Sequence, residues 1–179
     1  MSHVMAEAVL EMFPTAQIAI GPSIENGFYY DFELPRQLVN EDLDEITERM
    51  KKIIKSDKEF KRIEVTRDEA REQFKDQKYK LELIDAIPEG ETVTLYNQGG
   101  FTDLCRGPHV DNSQELMSAA FEIRSVSGAY WRGDEHNKML TRIYGTAFPK
   151  KADMEAYFTM LEEAKKRDHT KLGKELKLF

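Results

Sequence analysis

Two short motifs in this sequence concentrate side chains that can exchange protons or bind metal near neutral pH. His3 is followed four residues later by Glu7, so on a helix both project from one face. Cys105-Arg106-Gly107-Pro108-His109 sets a thiol and an imidazole four residues apart. Gly107 and Pro108 rule out a helix there and specify a tight loop, which can aim both groups at one point. Taken together as metal ligands, His3, Glu7, Cys105 and His109 supply the four donors of a zinc site. Without metal, imidazole can act as general base toward water attacking an ester. A Cys–His nucleophilic pair is the third chemistry these residues allow. Plainer roles compete with all three: a His–Glu pair on a helix surface, and a lone cysteine buried as a small hydrophobe.

Three further segments carry weaker signals. Asn26-Gly27-Phe28-Tyr29-Tyr30-Asp31-Phe32 puts aromatics on both faces of a strand, as core packing or as a wall for a base or ribose. Ser127 to Asp134 holds the only tryptophan, Trp131, between glycines; it reads as a packed loop or as an aromatic platform beside a ligand. Lys51, Lys52, Lys55, Lys58, Lys61 and Arg62 form a basic stretch, which is usually a solvated face and can touch phosphate.

The elements that must hold these residues can be read from periodicity and punctuation. Val4, Met5, Ala8, Val9 and Met12 recur at helical spacing, and Pro14 stops that helix. Residues 17–20 and 28–32 are strand-like, with Gly21-Pro22 and Asn26-Gly27 as turn chemistry between them. Asn40 is the expected N-cap of a helix to about Lys55, with acidic residues in its first turn. A strand at 60–65 is followed by the capping-box pattern Thr66-x-x-Glu69, opening a helix to about Phe74. A helix from Tyr79 to Ile87 ends at Pro88. Strands at 91–98 and 101–105 flank Gly99-Gly100, and 120–126 and 138–144 are the remaining strand candidates. A last, mostly polar helix covers about Lys151 to Asp168, a type that often bridges domains. Strands grouped as hairpins rather than in βαβ alternation predict an α+β fold: a mostly antiparallel sheet with helices packed on it.

Composition narrows the class. Hydrophobic residues make up 40% and charged residues 33%, and the formal net charge is −7, so global charge does not announce a nucleic-acid binder. No apolar run approaches the ~20 residues of a membrane span. The opening MSHVMAEAVL lacks the basic n-region of a secretory signal, and a single cysteine fits a reducing, cytoplasmic setting.

Several motifs then occur in a telling order: His3-Val4-Met5-Ala6, Ile20-Gly21-Pro22, Glu25-Asn26-Gly27-Phe28-Tyr29-Tyr30-Asp31, Asp103-Leu104-Cys105-Arg106-Gly107-Pro108-His109, Gly128-Ala129-Tyr130-Trp131-Arg132-Gly133-Asp134, Asn137-Lys138-Met139-Leu140 and Arg142-Ile143-Tyr144-Gly145-Thr146-Ala147. In this the chain closely resembles the editing domain of bacterial threonyl-tRNA synthetases, a module shared with alanyl-tRNA synthetases and their freestanding relatives. The resemblance implies a two-lobed domain with a cleft over residues 1–148. Residues 149–179 would be a linker helix leading toward a class II catalytic core that this chain lacks. It also implies hydrolysis of seryl-tRNA(Thr) at the ester by activated water, with His3, Lys80, Asp103, Cys105 and His109 as catalytic residues. Tyr30, with Tyr29 its rival, and Glu7 would bind substrate. The fullest form of the module has His-x-x-x-His beside Cys-x-x-x-His, and Glu7 stands at the second His position. The expectation is therefore editing without metal, with zinc possible at His3, Cys105 and His109; ATP and zinc belong to the synthetic core. Implied partners are the serine-bearing 3′ end of tRNA(Thr) and the rest of a homodimeric synthetase, with no membrane. The alternative is a non-catalytic zinc- or RNA-binding appendage that positions tRNA.

Overall fold

The computed structural model describes residues 1–175, with side chains through Arg167. Helix α1 (Ser2–Met12) leads into three strands, β1 (Gln17–Ile18), β2 (Ser23–Ile24) and β3 (Gly27–Glu33). Helix α2 (Asn40–Lys55), strand β4 (Phe60–Val65), and helices α3 (Arg67–Gln73) and α4 (Lys78–Asp85) follow. Then come β5 (Val93–Gln98), β6 (Phe101–Leu104), β7 (Ala120–Tyr130), β8 (Met139–Phe148) and helix α5 (Lys151–Glu175). Among the described residues every strand pairing is antiparallel, as the hairpin grouping predicted, and the fold is α+β.

The strands form two sheets rather than one. The larger runs β1-β3-β8-β7, with β2 hairpinned onto β3; the smaller runs β4-β5-β6. Each has its own core. Val4, Met5, Val9, Phe28, Phe32, Ile46, Met50 and Ile143 fill the first, joining α1 and α2 to the larger sheet. Ala70, Phe74, Ile84, Val93 and Leu95 fill the second, under α3 and α4. Phe101 of β6 belongs to the first core, so the smaller sheet is riveted to the larger lobe at that strand.

Local chemistry explains most boundaries. Thr66 accepts from the Glu69 backbone while the Glu69 carboxylate accepts from the Thr66 backbone, the expected capping box. Helix α2 starts at Asn40, but Asn40 is not its cap. The Asp42 carboxylate accepts from the Val39 N–H at 2.9 Å and is gripped by Arg36, so an acidic residue in the first turn supplants the asparagine. The two residues Glu25-Asn26 close the hairpin between β2 and β3, with Asn26 at φ 61° and Gly27 already paired with Ile24 as the first residue of β3. Residues 127–130, expected in a loop, extend β7 because Gly128 to Tyr130 continue in register with Thr141 to Met139. A 3-10 turn at Ser113–Ser118, also unforeseen, is capped by Asn112 and Glu115. Helix α5 rests Tyr157 on Phe148 and is otherwise largely exposed over residues 151–167. The last four residues of the expected linker, 176–179, lie outside the described residues. No described helix is long and apolar enough to cross a membrane.

Candidate active site

Helix α1 is buried from His3 to Val9, so its N-terminal turn is driven inward rather than laid on the surface. That brings His3 to β6. The two-residue turn Gly99-Gly100 fixes the β5–β6 register, pairing Gln98 with Phe101 and hence Tyr96 with Asp103. Alternation then puts Tyr96, Gln98, Phe101 and Asp103 on one face. His3 Nε2 lies 3.4 Å from Asp103 Oδ2.

Asp103 is the hub. Lys80 of α4 places Nζ 2.5 Å from Oδ1, and the Tyr30 hydroxyl donates to Oδ2 at 2.6 Å. Lys80 also donates to the Tyr30 hydroxyl at 3.0 Å. All three are essentially excluded from water: Lys80 is 1% exposed, Asp103 2% and Tyr30 0%. Tyr29, the rival of Tyr30, points to the other face of β3, under the Arg142 guanidinium and beside Tyr144.

The loop after β6 completes the cluster. Gly107 has φ 72°, and a Cβ there would sit 2.1 Å from the Tyr96 hydroxyl, so only glycine lets the chain turn this tightly. The turn sets His109 Nε2 3.2 Å from Cys105 Sγ, while the Gly107 N–H donates to the same sulfur at 3.4 Å. The His109 ring is 4.4 Å from that of His3 and edge-on to Tyr96 at 4.2 Å. A cavity of about 540 Å³ opens over His3 and His109, walled by Phe60, Pro108 and Val110. That is within the usual size of a ligand pocket.

Five expected catalytic residues, His3, Lys80, Asp103, Cys105 and His109, and the substrate residue Tyr30 are thus brought together. Glu7 stands apart. Gln98 donates to one of its oxygens at 2.6 Å and Lys58 pairs with the other, so the carboxylate is spoken for. The candidate ligand atoms of His3, Cys105 and His109 lie within 4.8 Å of one another, and Glu7 is not among them. Three protein donors are the number a catalytic zinc site uses, with water in the fourth position, and one fewer than a structural zinc site needs. Sequence reasoning missed Tyr96, Phe60, Gln98 and Lys58. The glycine pair at 99–100 was the available signal for the first and third, since it dictates what faces Asp103.

Burial controls the protonation states. It drives the His3 pKa down to about 4, with His109 and Lys80 adding repulsion and Asp103 opposing them. His109 is lowered for the same reason, and the Cys105 thiol is raised by burial. Burial pushes Asp103 up, but the Lys80 ammonium and His3 outweigh it and hold the carboxyl below its ordinary value. At neutral pH the site therefore holds neutral imidazoles, a protonated thiol and one buried ion pair. The His3 Nδ1 atom, buried, has no hydrogen-bond partner. Outside the site, Lys51, Lys61 and Arg62 of the basic stretch pair with Glu48, Glu59 and Glu64, which blunts it as a phosphate patch.

The α+β domain thus gathers imidazole, thiol and carboxylate groups, the donors that hydrolysis and metal binding both draw on, with His3 and His109 beside an open cavity. Comparison with known proteins makes the assignment narrower. Residues 93–144 match the family model of the threonyl and alanyl tRNA synthetase second additional domain. The chain is 58% identical over 178 residues to a threonine–tRNA ligase of Dehalococcoides mccartyi strain BAV1. It is 56% identical over 180 residues to that of Clostridioides difficile strain 630, and 54% identical over 180 to that of Acetivibrio thermocellus. Each alignment covers 99% of this chain but only 28–30% of the relative, so the chain spans under a third of the relatives it matches. The chain is thus similar over nearly its whole length to one segment of threonine–tRNA ligases, and over residues 93–144 to the second additional domain shared by threonyl and alanyl tRNA synthetases.

Proposed function

We propose that this domain hydrolyses the ester that joins serine to the 3′ end of tRNA(Thr). The observation that carries the reading is His3: one ring nitrogen faces Asp103, and the other, buried Nδ1, is left without a partner. With Nε2 carrying the proton toward Asp103, Nδ1 presents a lone pair, and the low pKa keeps it available at neutral pH. The long 3.4 Å contact is of the kind that tightens once substrate is bound.

In this mechanism a water donates its proton to His3 Nδ1 and attacks the ester carbonyl. The negative charge passes to the carbonyl oxygen, toward which the Cys105 thiol acts as a hydrogen-bond donor. Collapse breaks the ester C–O bond, and the ribose oxygen takes the proton back from His3. Serine and free tRNA leave. Cys105 acts as a hydrogen-bonding group rather than a nucleophile, because burial disfavours its thiolate. Lys80 keeps Asp103 ionised and, through it, keeps His3 in one orientation.

The need for such a reaction is physical. Serine lacks one methyl of threonine, and a pocket built for the larger amino acid discriminates by only ~10–200-fold against the smaller, a limit for which synthetases are the standard illustration. The same site in a whole synthetase would act on tRNA(Thr) mischarged by the catalytic core, in the cytoplasm of the cell.

A second reading has one observation behind it, the convergence of His3, Cys105 and His109 donor atoms, which suits a zinc-binding appendage that positions tRNA. Incubating the chain with seryl-tRNA(Thr) separates the two. Release of serine at a rate that falls in His3→Ala supports the deacylase; no release above the uncatalysed rate overturns it.

A further inference from the structure

Helix α4 carries Lys80; its start is tied to β1 through Gln77 and Lys78 and to Glu33 through the Tyr79 hydroxyl, and it has a further anchor in a segment that the chemistry above does not use. The helix has only eight residues, too few to be stable by itself, so its placement is set by what it packs on. One side of it, through Ile84, sits in the core of the smaller sheet. The other side, through Tyr79, packs with Trp131, Ala19 and Leu140 against the larger sheet. Lys80 lies between these two anchors.

The turn joining β7 to β8 supplies the second anchor. The Trp131 indole is 4.9 Å from the Tyr79 ring, and its Nε1 donates to Glu82 Oε2 at 2.7 Å. Arg132 adds a hydrogen bond to the Glu82 carbonyl at 3.3 Å. To do so Arg132 adopts φ 56°, ψ 19°, a left-handed conformation unusual for a residue other than glycine, and Gly133 follows at φ 71°. Such strain persists only where the surroundings over-determine it. Trp131 is 5% exposed although it sits in a hairpin turn.

We propose that Trp131 and Glu82 are positioning residues for Lys80. The indole–carboxylate hydrogen bond and the Tyr79 contact hold α4 where the Lys80 ammonium reaches both Asp103 and Tyr30. A buried ion pair at 2.5 Å tolerates little displacement, so loosening α4 frees Asp103 to turn and His3 to lose its orientation. The rate readout of this proposal rests on the deacylase reading above; the spectroscopic readout does not.

The test compares Glu82→Ala, Glu82→Gln and Arg71→Gln in the whole chain, with Lys80→Ala as second background. Glu82→Ala should lower single-turnover deacylation of seryl-tRNA about tenfold or more with little change in KM, the scale of a small misplacement. Glu82→Gln keeps an acceptor for the indole and should restore most of the rate. Arg71→Gln breaks an exposed pair with Asp85 on the same helix and should leave the rate unchanged. In the Lys80→Ala background, Glu82→Ala should cost nothing further. In parallel, 15N NMR of the lysine ammonium groups should show a slowly exchanging Lys80 signal in the wild type and in Glu82→Gln, lost in Glu82→Ala. A wild-type chain that hydrolyses nothing would remove the deacylase reading while the Lys80 signal still decides the positioning role. An unchanged Lys80 signal in Glu82→Ala, or an equal rate loss in both backgrounds, overturns the proposal.

Discussion

Lys80 Nζ and Asp103 Oδ1 sit 2.5 Å apart with both side chains almost wholly out of water, and the Tyr30 hydroxyl bonds to each. Breaking such a pair from one side leaves an uncompensated buried charge, which typically costs ~3–5 kcal/mol, whereas removing both partners is often close to neutral. Asp103→Asn and Lys80→Met should each lower stability by about 3 kcal/mol, and the double variant should recover most of it. Deacylation should remain lost in all three, because His3 faces no carboxylate in the two variants lacking Asp103, and in Lys80→Met the carboxylate has lost the ammonium that holds it ionised and in place. Urea denaturation checks the first statement; a double variant no more stable than either single one contradicts it.

The His3 pKa gives a second test, and its sign is fixed. In the unfolded chain His3 titrates near its ordinary 6.5; in the folded protein it does so at about 4. Between those values the unfolded state binds the extra proton, so stability falls as pH drops from 6.5 toward 4 and is insensitive to this group above that range. The gap corresponds to about 3 kcal/mol at full development. His3→Asn should flatten the pH dependence of denaturation in this window. The deacylation rate should likewise hold through pH 6 instead of halving near 6.5; a rate that tracks an ordinary imidazole would show that His3 is not the base.

Much of this arrangement is legible in the sequence, for reasons that differ residue by residue. The Cys105–His109 loop announces itself because Gly107-Pro108 leaves few conformations. Helix α3 is visible because its cap is local. The spacing of His3 and Glu7 suggested a shared role, yet Glu7 is diverted by Lys58 and Gln98, which lie 51 and 91 residues away in sequence. No local pattern encodes that. The Tyr96–Asp103 pairing lies between these extremes: a two-residue glycine turn implies it, given the assumption that both flanks are strands. The extension of β7 through Gly128 was hidden because glycines flanking a tryptophan resemble a loop, and only the pairing with β8 makes them strand.

Zinc content provides a third test. His3, Cys105 and His109 converge, but Glu7 is held by Lys58 and Gln98 and cannot become the fourth protein ligand without breaking both contacts. Structural zinc sites need four protein ligands as a rule. The chain purified without added metal should hold no stoichiometric zinc, and chelator should leave seryl-tRNA hydrolysis intact. Elemental analysis giving about one zinc per chain, lost in Cys105→Ala, would move the reaction to metal-activated water.

Selectivity is the most demanding test. Seryl and threonyl esters present the same amine, hydroxyl and carbonyl and differ by one methyl. A site that cleaves the first and spares the second must use that methyl against the substrate, by clash or by displacing the attacking water. Rigid walls are required, since overpacking by one methyl typically costs ~1–3 kcal/mol only where the neighbours cannot yield. The groups around the site are braced from behind: His109 packs edge-on against Tyr96, and His3 faces Asp103. Single-turnover deacylation should therefore run at least ~10-fold faster on seryl-tRNA(Thr) than on threonyl-tRNA(Thr), the fold-equivalent of about 1.4 kcal/mol. His3→Ala and His109→Ala should each slow seryl-tRNA hydrolysis by ~10²-fold or more. Cys105→Ser should retain a measurable rate, because a hydroxyl still donates a hydrogen bond, and Cys105→Ala should retain less. Tyr96→Ala, which removes the wall behind His109, should narrow the serine–threonine gap. Equal hydrolysis of both substrates by the wild type, or full rates in the two histidine variants, would place the chemistry elsewhere.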